Sequence, residues 1–97
     1  MFINQRIGYA RVSTDDQNLD LQRDALKQSG CSVIYEETAS GKNADRPELD
    51  HCRKALRLGD TLVVWSLDRL GRSLHDLVRI VAELEQEGIG WLCCVIF

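Results

Sequence analysis

Short β-prone runs alternate with helical patterns along this chain, and each helical pattern ends at a glycine. The β-prone runs occupy residues 7–12, 32–36, 61–65 and 89–97. The helices between them are predicted to stop at Gly30, Gly59 and Gly88, because glycine readily adopts the left-handed conformation that ends a helix. Parallel strands need a crossover connection, so this order predicts an α/β fold with a mainly parallel four-stranded sheet flanked by helices.

Local signals mark where the helices begin. Thr14 and Gln17 match a capping box, so a first helix is expected to follow, with Leu19, Gln22 and Leu26 on one stripe. Pro47 suits the first turn of a second helix, which is expected to bury Leu49, Cys52 and Leu56. Ser73 is predicted to cap a third helix with an apolar stripe of Leu74, Leu77, Val78, Val81 and Leu84.

Length and charge limit the class of protein. The 97 residues fit one domain, spanning residues 1–97. A net charge of −3 argues against a basic protein that coats nucleic acid through bulk charge. Residues 39–79 nevertheless hold eight basic and six acidic side chains, so a local basic site remains possible.

Cysteine and histidine spacing favours neither disulfides nor a metal. Cys31, Cys52, Cys93 and Cys94 form no C-x-x-C pair, and free thiols are the preferred interpretation. His51 and His75 are expected on helix surfaces rather than in a metal site. We expect no metal and no cofactor. Without an apparent signal peptide or an apolar run of membrane-spanning length, a cytoplasmic protein with no membrane partner is expected.

Two segments bring reactive groups to the carboxyl ends of strands, where open α/β sheets bind ligands. Arg11 and Ser13 are two residues apart at the end of the first strand and can point to the same side. Arg69 and Arg72 follow the third strand with helical spacing. Arginine forks match phosphate oxygens and stabilise the charge that builds up during phosphoryl transfer. A serine beside several arginines therefore favours attack on a phosphoryl centre.

Simpler interpretations compete with this one. Ser13 can be part of a helix cap, and Asp68 with Arg69 can be a surface ion pair. The sequence contains no G-x-S-x-G motif and no P-loop, so a serine hydrolase and a P-loop NTPase have little support.

Three ordered motifs resemble those of the serine recombinases, the resolvase and DNA-invertase family. Residues 9–17, YARVSTDDQ, look like the family's active-site signature, and residues 64–73, VWSLDRLGRS, look like its second hallmark. Between them, residues 39–41 and 45–47 are similar to its mobile active-site loop. The resemblance covers residues 6–90 and implies a resolvase-like, Rossmann-like three-layer fold.

The resemblance also implies a mechanism and a set of residues. Ser13 would attack a DNA phosphodiester to give a 5′-phosphoserine link. Four arginines would hold the scissile phosphate: Arg11, Arg46, Arg69 and Arg72. Asp68 would orient an arginine or handle the proton of the leaving group. Gln22 and Ser40 would support substrate binding, although Gln22 can also be an ordinary exposed helix residue. Family members act on DNA as dimers that pair into tetramers.

The resemblance stops near Gly90. Residues 91–97 form an apolar tail that suggests truncation or a frameshift. The same tail is compatible with an edge strand. We therefore expect the isolated chain to fold without recombining DNA by itself. Two other functions stay open at this point. One is a non-catalytic fragment that binds phosphate or associates with full-length recombinases, and the other is a small-molecule phosphate-binding domain.

Overall fold

Four parallel strands form one sheet in the computed structural model, which describes residues 4–13, 19–39, 46–71 and 73–94. The strands are β1 (Arg6–Ser13), β2 (Cys31–Ala39), β3 (Thr61–Val64) and β4 (Gly90–Cys93). The helices are α1 (Leu19–Gln28), α2 (Pro47–Ala55), α3 (Leu67–Leu70) and α4 (Leu74–Gln86).

The strand order is β2-β1-β3-β4, with every neighbouring pair parallel. β1 lies in the centre and pairs with β2 from Arg6 to Ser13, apart from one register shift between Arg6 and Ile7. On its other side, residues 6–9 of β1 pair with the whole of β3. The predicted α/β fold with a parallel four-stranded sheet is confirmed.

Helices cover both faces of the sheet and make three layers. On one face, Tyr9 of β1 and Val64 of β3 pack with apolar residues of α2 and α4. On the other face, Ala10 and Val63 pack with Leu26 of α1. Successive strand residues point to opposite faces, so β1 and β3 contribute to both cores, and residues 7–10 of β1 and 62–64 of β3 are buried without interruption.

The predicted helix signals are mostly confirmed. Gly30 has a φ of 87°, and its amide donates to the carbonyl of Lys27, which ends α1 as expected. Pro47 opens α2, which buries Leu49 and Cys52. The Ser73 hydroxyl accepts a hydrogen bond from the Asp76 amide at 3.1 Å and so caps α4. The capping box at residues 14–17 lies outside the described residues.

The predicted stripe of α4 is partly wrong. Leu84 is buried, but Leu74 and Val78 are exposed, and Ile80 takes their place in the core. Ile80 and Leu84 are four residues apart and face the sheet together, whereas Val78 comes only two residues before Ile80 and therefore points to the other side of the helix, as does Leu74 four residues earlier. A stripe of five apolar residues is wider than the surface that this helix buries.

Two segments, one after β3 and one near the end of the chain, differ in detail from the sequence prediction. β3 stops at Val64, one residue earlier than predicted, and the short helix α3 begins at Leu67. The spacing of Arg69 and Arg72 had predicted a helical or turn geometry for this segment. β4 is an edge strand, and both Trp91 and Leu92 are exposed. The predicted fourth strand is therefore present over Gly90–Cys93, and residues 95–97 of the predicted range lie outside the described residues.

Among the described residues, the four cysteines are free thiols, and no helix is long and apolar enough to cross a bilayer. Cys52 is buried, whereas Cys31, Cys93 and Cys94 are only partly covered. His51 and His75 are exposed on α2 and α4, as predicted.

We expect Gly71→Ala to destabilise the fold by about 1–3 kcal/mol, the usual range for overpacking. A Cβ at Gly71 would lie 2.6 Å from Cβ and 2.8 Å from Cα of Leu77, so backbone atoms would have to move. Urea unfolding measures the effect. Gly90→Ala is the matched control, since its Cβ would meet nothing closer than Thr61 Oγ1 at 3.4 Å. Equal stability losses in the two variants would contradict the packing argument.

We also expect the ionisation of Cys52 to lower the free energy of unfolding as the pH becomes alkaline. Burial raises the pKa of the Cys52 thiol to about 12, whereas an unfolded thiol titrates near ~8.5. The folded state holds the proton more tightly, so this contribution is fully present below pH ~8.5 and is lost as the pH rises towards the folded value. Its slope is at most about 1.4 kcal/mol per pH unit.

Urea unfolding of wild type and Cys52→Ala between neutral and alkaline pH tests this expectation. The variant should be less stable at every pH because of its cavity, but its stability should fall less steeply above pH ~8.5. Parallel pH profiles for the two proteins would show that Cys52 does not carry the effect.

Candidate active site

The carboxyl ends of β1 and β3 meet α3 at one edge of the sheet. β1 ends at Ser13, and α3 contacts β1 directly. The backbone of α3 includes Asp68 and Arg69, so the two sequence segments that were predicted to form a site do reach the same edge. Parallel strands bring their carboxyl ends together, and an open α/β sheet binds its ligands at this edge.

The structure describes some of the predicted side chains and not others. The side chains of Arg11, Gln22 and Arg46 are described. Ser40 and Arg72 lie outside the described residues, as do the side chains of Ser13, Asp68 and Arg69. The geometry that follows is therefore that of Arg11, Gln22, Arg46 and their surroundings.

Arg46 is held by two hydrogen bonds from its guanidinium group. Its Nη1 donates to the carbonyl of Leu70 at 2.6 Å, and its Nη2 donates to Oδ2 of Asp76 at 2.7 Å. The side chain is only 13% exposed. Because Arg46 is the N-cap residue of α2, these bonds join the start of α2 to the end of α3 and to the first turn of α4.

The buried carboxylate of Glu37 accepts hydrogen bonds from the first free backbone amides of α2. Its Oε1 accepts from the amide of Glu48 at 3.1 Å and from the amide of Leu49 at 3.3 Å. The side chain of Arg46 makes no capping hydrogen bond, so Glu37 of β2 takes over the role of a cap. Its negative charge also complements the positive end of the helix dipole.

Sequence analysis did not find Glu37. The available signal was an arginine immediately before Pro47. Arginine has no acceptor, so the amides of the first helical turn need an oxygen from elsewhere in the chain. Nothing local in the sequence identifies that oxygen, because Glu37 comes 11 residues before Glu48.

Tyr9 is fully buried on β1. Burial raises the pKa of its phenol, and the negative charge of Glu37 adds to this effect, while the positive charges of Arg46 and Arg11 oppose it. Its hydroxyl is 3.5 Å from Oε1 of Glu37. Tyr9 is thus a neutral, buried hydroxyl next to the carboxylate that caps α2.

Gln22 is fully buried on α1. The alternative of an ordinary exposed helix residue is therefore wrong. Leu26, one helical turn further on, is also fully buried and packs with Ala10 of β1. Gln22 is thus a polar side chain that is as fully buried as Leu26 on the same helix.

This arrangement can bind an anion. Arg11 is partly buried near the carboxyl end of β1, and Arg46 is fixed at the start of α2. Two guanidinium groups near one sheet edge suit a phosphate, because each presents donors in a planar fork. Within the described part of the chain, no three His, Cys, Asp or Glu side chains are grouped closely enough to hold a metal ion.

Comparison with known proteins finds a family match and several curated relatives. Residues 6–95 match the family described as "Resolvase, N terminal domain". The chain is 56% identical over 85 residues to "Serine recombinase gin" of Escherichia phage Mu, an alignment that covers 88% of this chain and 44% of that protein.

Two further relatives give similar figures. "DNA-invertase hin" of Salmonella typhimurium is 56% identical over 82 residues, which cover 84% of this chain and 43% of the relative. "Transposon Tn552 resolvase" of Staphylococcus aureus is 49% identical over 86 residues, which cover 89% and 44%. The chain thus spans less than half the length of these curated relatives.

We expect Glu37→Ala to destabilise the fold by about 1–3 kcal/mol, since it leaves the buried amide of Leu49 and the partly buried amide of Glu48 without an acceptor. Glu37→Gln keeps an acceptor oxygen and should lose less. Urea unfolding gives the stability, and amide hydrogen exchange should speed up at Glu48 and Leu49. Glu85→Ala, an exposed position on α4, is the control. The assigned role is wrong if Glu37→Ala is as stable as that control.

Proposed function

The chain belongs to the serine recombinases of the resolvase and DNA-invertase family, and we propose that it is a catalytic domain whose Ser13 attacks a DNA phosphodiester. The family match over residues 6–95 and the site at the carboxyl edge of the sheet support this proposal. The relatives are named as recombinases, invertases and a resolvase, so DNA strand exchange is the activity to which such a domain would contribute.

The proposed chemistry is a transesterification. Ser13 Oγ loses its proton and forms a bond to phosphorus, while the bond from phosphorus to the 3′ oxygen breaks. The 3′ oxygen takes up a proton and leaves as a hydroxyl, and the 5′ phosphate stays linked to Ser13. One ester replaces another, so the strands can be rejoined by the reverse reaction without ATP. The serine acts as a covalent nucleophile.

The arginines are proposed to bind the phosphate and to stabilise the charge that develops on it in the transition state. Arg11, Arg46, Arg69 and Arg72 are proposed to hold the nonbridging oxygens. Positive groups that are fixed before the reaction stabilise the transition state without further reorganisation. Asp68 is proposed to orient one of these arginines or to transfer the proton of the leaving group. Gln22 and Ser40 are proposed to help bind the substrate.

The observation that carries the proposal is the fixed guanidinium of Arg46. Its two hydrogen bonds, to Leu70 and Asp76, hold it at the edge where β1 delivers Arg11 and ends at Ser13. Its positive charge reaches the Tyr9 hydroxyl, as does that of Arg11. A cationic site with a serine at the end of its central strand suits attack on a phosphodiester.

We propose DNA as the substrate and self-association as part of the full reaction. The chain spans about 44% of the phage Mu relative. Site recognition and exchange between paired dimers are therefore assigned to a protein of the relatives' full length, and we do not expect the 97-residue chain to complete recombination alone.

A chimaera tests the catalytic assignment. Residues 6–90 of this chain would replace the matching part of the phage Mu recombinase, and DNA inversion and SDS-stable protein–DNA adducts would be measured. We expect activity in the chimaera, no adduct with Ser13→Ala, and a loss of about 10²-fold or more in rate with Arg46→Ala, as is usual for one transition-state donor.

Ser32→Ala is the control for the serine substitution. Ser32 is exposed near the start of β2, and its hydroxyl donates to Gln5 Oε1 at 2.9 Å, away from the carboxyl edge. Its replacement should leave the rate nearly unchanged. Adduct formation that survives Ser13→Ala, or is lost equally in Ser32→Ala, would refute the role of Ser13.

A second candidate function is association without catalysis. The edge strand β4 pairs with β3 on one side and exposes Trp91 and Leu92, and exposed edges of this kind favour pairing with another chain. This candidate predicts that the 97-residue chain binds a full-length recombinase in a pull-down while the chimaera forms no adduct.

A further inference from the structure

Asp76 lies between two guanidinium groups. Its Oδ2 is 2.7 Å from Nη2 of Arg46, and its Oδ1 is 2.8 Å from Nη2 of Arg79. The hydroxyl of Ser73 accepts from its backbone amide, which places Asp76 in the capped first turn of α4. Both oxygens of one carboxylate therefore bind arginine, one towards the candidate site and one along the helix surface.

We propose that Asp76 is a positioning residue that orients Arg46 for phosphate. The inference rests on the proposed function, since it takes Arg46 to be a phosphate ligand. Asp76 does not itself touch the substrate in this scheme. Its carboxylate and the carbonyl of Leu70 hold two different nitrogens of the guanidinium group, so the plane of that group has a defined orientation.

The number of donors makes this arrangement compatible with binding. A guanidinium group has five N–H donors, and the two bonds to Leu70 and Asp76 occupy one on each terminal nitrogen. These two bonds leave three N–H donors of Arg46 that are not used by Leu70 or Asp76. A free arginine side chain has considerable rotamer entropy, and fixing it in advance reduces the cost of binding.

The Arg46–Asp76 ion pair is more buried than the ion pairs on the surface of α4. Arg46 and Asp76 are 13% and 19% exposed, whereas Arg79 is 55% exposed. Exposed pairs are screened by solvent and contribute little, so the inner pair is the effective one. Arg79 in turn binds Glu83 at 2.7 Å, and it holds the second oxygen of Asp76 in place.

Asp76 does not pair with Arg46 alone. It is shared with Arg79, which also pairs with Glu83, so these two arginines and two carboxylates together carry no net charge. Each oxygen of Asp76 binds a different arginine, and its negative charge is therefore divided between the two guanidinium groups. Asp76 thus fixes the geometry of Arg46 without making the cluster negative.

The test uses the whole 97-residue chain with inorganic phosphate as the probe. Guanidinium ¹⁵N–¹H NMR signals of Arg46, assigned by their loss in Arg46→Ala, report both the rotation of the group and phosphate binding. Asp76→Ala should release the restrained rotation and weaken phosphate binding by about tenfold, comparable with the loss of an outer-shell partner at a metal site. Asp76→Asn keeps an acceptor and should lie between wild type and Asp76→Ala.

Asp50→Asn is the matched control, because it also removes one negative charge from an exposed position on α2 near Arg46. It should leave both the rotation and the phosphate affinity unchanged. If Asp76→Ala does not fold, the smaller change Asp76→Asn carries the comparison, and the ¹H–¹⁵N spectrum of each variant checks its fold.

Three results would overturn the inference. Unchanged Arg46 rotation in both Asp76 variants would show that Asp76 does not hold the group. Tighter phosphate binding in Asp76→Ala would show that Asp76 competes with the anion. Wild-type Arg46 signals that do not respond to phosphate would refute the proposed phosphate site as well, which distinguishes that failure from a failure of Asp76 alone.

Discussion

The central strand β1 is hydrogen-bonded to a parallel neighbour on each side, and the positions of the other elements depend on it. Its residues face two cores in alternation, with Tyr9 towards α2 and α4 and Ala10 towards α1. Gly8 lets α1 and β2 approach closely, since a Cβ there would lie 3.2 Å from Cys31 Sγ and 3.4 Å from Leu26 Cδ1. The strand then carries Arg11 and Ser13 to the edge where the candidate site lies.

A buried carboxylate and an arginine connect this edge to the surrounding helices. Glu37 of β2 accepts the free amides of α2, and Arg46 at the start of α2 binds Leu70 of α3 and Asp76 of α4. Each contact satisfies a group that would otherwise be costly to bury. The same contacts orient the guanidinium group of Arg46, so the stability of the fold and the proposed phosphate binding depend on shared interactions.

The net charge of −3 is compatible with a phosphate site because the charges are unevenly placed. Acidic side chains of α4 pair with arginines: Glu83 binds Arg79 on the exposed surface of the helix, and Asp76 binds Arg46 in a mostly buried position. Near the carboxyl end of β1, the positive charges of Arg11 and Arg46 both reach Tyr9. Local geometry, rather than the sum of charges, decides which ligand such a surface attracts.

Features with local causes were predictable from sequence. Gly30 ends α1, Pro47 opens α2 and Ser73 caps α4, because each depends on a few neighbouring residues. Burial was less predictable. The apolar spacing of α4 was compatible with a buried Leu74 and Val78, but the helix presents only a narrow face to the sheet. For Gln22, spacing alone left both a buried and an exposed position open, and its packing near β1 decided between them.

The sequence by itself determined the order and type of the main elements, the parallel sheet and the family motifs, since periodicity, caps and motif spacing are local properties of the chain. Only the tertiary structure decided that Glu37 caps α2 and that Asp76 holds Arg46. These partners are 11 and 30 residues apart along the chain. Their contact depends on how the helices pack on the twisted sheet, and no pattern of neighbouring residues encodes that geometry.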